Sequence, residues 1–230
     1  MPIDITVTHD FVCPWCYLGI NRLLHAIDSL SDDFEWQLSW MPLELNPALP
    51  LAGIDRASYR TANYGESHGK MLDAQIEAQA RYDGISLDMR ILQTMSNSRP
   101  AHRVRLLAQE RNLERAFIHA VYRAYFECGM NIGVDSELAR IARSVHISEQ
   151  DALECLKDPT TDQRVVDLER GASQKGIREV PHFQIGPIPV SGAVPVTTLK
   201  EALVRAANSD LPPPGQGFCA PDDEDCAGSP

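Results

Sequence analysis

At 230 residues, 43% apolar and 23% charged, the chain can bury one substantial core and has the ordinary composition of a soluble globular protein. Its 21 basic and 32 acidic residues give a net charge of −11, which argues against nucleic acid or an anionic membrane as the main partner. No apolar run approaches the roughly 18 residues of a membrane-spanning helix. The first ten residues lack a basic and apolar leader pattern, so no secretory signal is read and the cytoplasm is the expected compartment.

Ile3, Ile5 and Val7 alternate along residues 3–9 and predict a strand. Cys13-Pro14-Trp15-Cys16 follows and opens a segment with Ile20, Leu23, Leu24 and Ile27 at helical spacing, where Pro14 suits a first turn. Trp36, Leu38 and Trp40 alternate again before Pro42, which completes a β-α-β unit whose parallel strands flank one helix. From about Asp55 to Leu156 the strand signal disappears. Val104, Leu107 and Ala108 form one helical stripe, Leu113, Phe117, Val121, Ala124 and Tyr125 a second, and Leu138, Ile141, Ala142 and Val145 a third. Asn97-Ser98-Arg99-Pro100 reads as a capped helix start, and Gly129, Asn131 and Gly133 as a turn.

A helix over about Thr161 to Lys175 stops at Gly176. Val180–Gly186 and Ile188–Gly192 then read as two short strands joined at Gly186-Pro187, and Val196–Ala207 as a last amphipathic helix. The order β-α-β, helices, α-β-β-α predicts an α/β thioredoxin fold with an inserted all-helical domain. The expected boundaries are 1–54 with 158–207 for the thioredoxin fold, 55–157 for the insertion and 208–230 for a Pro-, Gly- and acid-rich flexible tail.

Six cysteines are too few for a disulfide scaffold, so their spacing carries the reading. Cys13 and Cys16 sit where a strand gives way to a helix. A thiol there faces unpaired backbone N–H groups and the positive end of the helix dipole, which favour the thiolate and lower a cysteine pKa. Cys13 is therefore the expected nucleophile. Cys16, one turn on and more buried, is the expected resolving thiol, with Pro14 restricting the loop. Zinc held by Cys13, Cys16, Cys219 and Cys226 is chemically feasible, but the strand-to-helix position favours redox chemistry and no metal is assigned. Cys128 and Cys155 are expected as small buried apolar residues, and Asp10 as a cap on the following turn or a modulator of Cys13.

Asp10-Phe11-Val12-Cys13-Pro14-Trp15-Cys16-Tyr17-Leu18-Gly19 resembles the active-site segment of cytoplasmic DsbA-like proteins of the FrnE type. Met41–Pro47, Asn97-Ser98 with Ala101-His102, and Val180-Pro181-His182-Phe183 are similar to further segments of that family. The resemblance implies a thioredoxin fold with a helical insertion and a disulfide oxidoreductase or isomerase activity. In that fold Pro181 follows a cis bond beside the cysteines, and Val180 offers backbone hydrogen bonds to a bound peptide. Trp15, Pro14, His182 and His102 are then candidate substrate contacts. Protein dithiols or disulfides are the implied substrates, with no cofactor beyond glutathione or another thiol as redox partner. The tail pair Cys219 and Cys226 resembles a second dithiol motif, expected to exchange with the first.

Two departures limit the transfer. Trp15 stands where periplasmic relatives carry His, and Cys13 where related glutathione-dependent hydroxychromene-carboxylate isomerases carry Ser. Such an isomerase or transferase, or a zinc-bound or chaperone-like binding protein, is the alternative.

Overall fold

The computed structural model describes residues 2–31 and 34–209. The tail pair Cys219 and Cys226 therefore lies outside the described residues. Strand β1 (Ile3–His9) leads through Cys13 into helix α1 (Pro14–Asp28), which returns to β2 (Trp36–Pro42). The Cys13 sulfur caps α1 by accepting the Cys16 N–H, and Pro14 occupies the first turn, where a missing N–H costs nothing.

Helices α2 (Arg56–Tyr64), α3 (Glu66–Tyr82), α4 (Arg99–Glu110), α5 (Glu114–Cys128), α6 (Asp135–Ser144) and α7 (Glu149–Lys157) follow. The chain then re-enters the sheet layer through α8 (Pro159–Gln174), β5 (His182–Ile185), β6 (Ile188–Ser191) and α9 (Val196–Ser209).

The four strands run in the order β2-β1-β5-β6. β1 pairs parallel with β2 from Ile3↔Trp36 to His9↔Pro42, and antiparallel with β5 through Val7↔Phe183. Period-two alternation splits the sheet. Ile3, Ile5, Val7, Phe183 and Ile185 are buried under α1 and α9, while Thr6, Thr8, His182 and Gln184 point to the face that carries α8.

The helical segment differs from expectation in one respect. Ile54–Asp55 (β3) and Thr94–Met95 (β4) form a two-residue antiparallel ladder at its base. Two residues are too few to produce an alternating pattern, so periodicity passes over them. The turn after α5 follows expectation, with Gly129 at φ 66°. A Cβ there would lie 2.7 Å from the Ile91 carbonyl oxygen, so only glycine fits. At the start of α4 the Ser98 side chain makes no cap bond; the preceding Asn97 Oδ1 accepts the Arg99 N–H at 2.9 Å.

Candidate active site

The strand-to-helix junction places both thiols just beyond the C-terminal end of β1, an inner strand of the sheet. Cys13 is 4% exposed and Cys16 is fully buried, and both are free thiols. The Cys16 N–H reaches the Cys13 sulfur at 3.4 Å. Across the junction the Val180–Pro181 bond is cis, and the Cys13 thiol faces the Val180 carbonyl oxygen at 3.9 Å. The mouth of the site is thus made by Pro14, Trp15 and Val180, all partly exposed, with Pro181 buried behind them. Burial, and then the neighbouring Cys13 sulfur, pushes the Cys16 thiol well above the ordinary cysteine value, while the Asp10 backbone N–H acts in the opposite direction.

Beneath the thiols lies a floor of buried polar and aromatic side chains. The Asp10 carboxylate is fully buried, accepts the Leu45 N–H at 2.7 Å and stands 3.5 Å from His102 Nε2. His102 is itself fully buried, and burial lowers its pKa even against the pull of Asp10. It forms part of the floor and presents no surface to a substrate. His9 Nδ1 lies 2.9 Å from the Tyr122 hydroxyl, which donates to the Asp10 carbonyl oxygen at 3.0 Å. Tyr122 stacks on Tyr17 and Phe126. Burial lowers the His9 pKa well below the ordinary histidine value, so the ring is neutral.

Other expected positions divide clearly. His182 faces the opposite side of the sheet from α1, meets Ser191 Oγ at 2.9 Å, and lines a separate cavity of about 520 Å³ with Thr6 and Thr8. The alternation that buries Phe183 against α1 forces its neighbour outward. Cys155 is buried as expected, but Cys128 is exposed, because it ends α5 just before the Gly129 turn. Among the described residues no group of three or more His, Cys, Asp or Glu is arranged to hold a metal ion.

Sequence reasoning passed over His9 and Tyr122. Tyr122 neighbours the apolar stripe of α5, on a helix whose buried positions also include Ile118 and Phe126. A phenol on so buried a helix needs a polar partner, and that was the available signal.

The family model of the DsbA-like thioredoxin domain matches residues 4–204. A Bacillus subtilis protein, YwbO, is 25% identical over 204 residues, spanning 88% of this chain and 96% of its own. The crystal structure of a probable DsbA oxidoreductase from Streptomyces coelicolor is similar at TM-score 0.83 and 27% identity, covering 96% of this chain and 97% of that one. A 2-hydroxychromene-2-carboxylate isomerase shares the fold at TM-score 0.68 and 18% identity, over 90% of this chain and 97% of that one. Among the described residues no helix is long and apolar enough to cross a membrane.

Proposed function

The chain belongs to the family of DsbA-like thioredoxin domains, and from that premise we propose that it exchanges thiols and disulfides with protein substrates, with Cys13 as nucleophile and Cys16 as resolving thiol. The observation that carries this reading is the dithiol at the N-terminus of α1, 3.4 Å from amide to sulfur, set against the Val180–Pro181 segment. The Cys16 N–H at the helix terminus donates to this outer sulfur. The deeper thiol is held back by burial until a mixed disulfide forms beside it.

Reduction of a substrate runs in two displacements. The Cys13 thiolate attacks one sulfur of a substrate disulfide, forming a mixed disulfide and expelling the first substrate thiolate. Cys16 then attacks the Cys13 sulfur, closing the Cys13–Cys16 disulfide and releasing the second substrate thiolate. Oxidation is the same pair of steps reversed, and isomerisation stops short of net electron transfer. Val180, beside Cys13, offers backbone groups to an extended peptide, and Trp15 offers an apolar contact at the mouth. The reaction we assign is cytoplasmic, with glutathione or a similar thiol as the redox partner. Cys219 and Cys226 serve as a second dithiol that exchanges with the first.

The test is the reduction potential of the Cys13–Cys16 pair in glutathione buffers, with both tail cysteines replaced by Ser. A reversible two-electron midpoint between about −120 and −270 mV is expected. Absence of any reversible disulfide would sink the proposal. Cys16→Ser should accumulate mixed disulfide and lose dithiol cycling. Retained turnover in that variant would instead indicate glutathione-dependent isomerisation, which needs Cys13 alone.

A further inference from the structure

On the face of the sheet away from α1, strand register sorts the side chains into two rows. Thr8 pairs with Met41 on one side and with His182 on the other, and His182 pairs with Ser191. In the next row Thr6 pairs with Gln184, and Gln184 with Pro189. Both rows line the cavity of about 520 Å³, together with the end of α8 and the loop 175–179. That volume is in the range of small-molecule sites, about 300–1,000 Å³.

Most polar groups on this face already have partners. His182 Nδ1 meets Ser191 Oγ at 2.9 Å, Thr6 Oγ1 meets Ser39 Oγ at 3.0 Å, and Gln184 Nε2 donates to the Gly186 carbonyl at 2.8 Å. Thr8 is the exception. Its side chain is fully buried and lines the cavity, and its hydroxyl has no hydrogen-bond partner. A buried hydroxyl without a partner is costly, and valine has the same shape, so Thr8 suits a position that meets a polar atom in the cavity.

Charge is arranged around the same space. Lys175, Arg178 and Glu179 line it, and none of the three forms a salt bridge among the described residues. Two cations against one anion make the lining positive in a chain of net charge −11. His182 adds no charge, because burial lowers its pKa against the pull of Glu179. Lys175, Arg178 and the Thr8 hydroxyl are donors that suit carboxylate oxygens, whereas the Glu179 carboxylate suits an ammonium group. Met41 and Ile177 offer apolar contact to a short carbon chain.

We propose that this cavity is a binding site for a small amino dicarboxylate. Lys175 and Arg178 answer its two carboxylates, Thr8 donates to one of them, and Glu179 holds the ammonium. The site lies across the sheet from α1, so it does not depend on the dithiol reading. Its lining reaches the segment behind the thiols from both sides. Glu179 precedes Val180, and Ser191 precedes Gly192, whose N–H donates to the Pro181 carbonyl at 2.8 Å.

The test titrates the isotopically labelled full-length chain with L-glutamate, up to tens of millimolar at neutral pH and constant ionic strength, and follows the backbone amide resonances. Saturable shifts centred on Thr8, Glu179 and Gly192 are expected. Thr8→Val keeps the shape and removes the hydroxyl, and should weaken binding about tenfold, as for one hydrogen bond to a charged group. Lys175→Gln and Arg178→Gln should each weaken it about twofold to fivefold, the range of exposed ion pairs.

Glutarate has both carboxylates and no ammonium. It should bind the parent more weakly than glutamate does, and Glu179→Gln should remove that difference. Glu179 is exposed, so this comparison carries the test even if Thr8→Val fails to fold. Absence of saturable shifts, shifts centred elsewhere, or equal affinity of the parent and a folded Thr8→Val would overturn the site. Equal affinity of the parent for glutarate and glutamate would overturn the assigned ligand class.

Discussion

Gly19 lies on the face of α1 that meets the segment carrying Pro181. A Cβ on Gly19 would stand 2.9 Å from Pro181 Cγ, 3.2 Å from Phe183 Cζ and 3.4 Å from Ala193 Cα. Two of these neighbours are stiff rings and the third is backbone, so none yields cheaply. Alanine gains about 1 kcal/mol of helix propensity over glycine, whereas overpacking costs about 1–3 kcal/mol. Overpacking wins, and Gly19→Ala should lower stability by about 1 kcal/mol, read as a lower urea midpoint with an unchanged slope. Gly171, within α8, is the control, because nothing lies within 4 Å of its Cβ position. There Gly171→Ala should raise stability by about 0.5–1 kcal/mol. Equal effects at the two sites would contradict the packing account. The glycine at 19 is visible in the sequence as one position in an active-site segment, but its reason is steric and appears only once Pro181 is brought across.

Elements of the thioredoxin layer were legible because each is defined locally. Period-two alternation marks β1 and β2, the apolar stripe marks α1, and Gly186 sits at the turn between β5 and β6. What joins those elements to the insertion was not legible. Arg22 interrupts the stripe of α1, and each nitrogen of its guanidinium makes a hydrogen bond: Asp83 at 2.6 Å, the Ala193 carbonyl at 2.6 Å and Gln79 at 2.9 Å. It thus ties α1 to the end of α3 and to the loop after β6. No spacing rule links residues so distant in the chain. Removing one member of a buried pair leaves the other uncompensated, at about 3–5 kcal/mol. The Arg22 side chain is 7% exposed and Asp83 13%, so Arg22→Leu should cost close to that range. Asp83→Asn keeps a hydrogen-bond acceptor and should cost less. A double-mutant cycle in urea would measure the coupling, and additive losses would show that the pair is not the tie.

Across the whole molecule the site has two layers of different origin. The dithiol and the Val180–Pro181 segment were readable because a motif and an X–Pro dipeptide fall at the right places in the β-α-β and α-β-β-α halves. The floor was not, because Tyr122 and His102 come from α5 and α4 of the insertion, and only packing brings them to β1. The same closure gathers charge beside the site. Glu44, in the loop after β2, pairs with Arg99 of α4, while its backbone N–H donates to Glu169 of α8 at 2.8 Å. Burial and then the charge of Glu169 push the Glu44 pKa from 4.5 to about 7, against the pull of Arg99. A carboxyl raised in this way binds its proton more tightly when folded. Its contribution is therefore fully favourable below about pH 4.5 and is lost as pH rises towards 7. Ionising Glu44 should cost the native state on the order of 2 kcal/mol. Glu44→Gln cannot ionise, so it should flatten the fall in urea stability between pH 5 and pH 8 relative to the parent. An identical slope in both proteins would show that Glu44 ionises in the fold as readily as in the open chain, and that Arg99 offsets both its burial and its acidic neighbour.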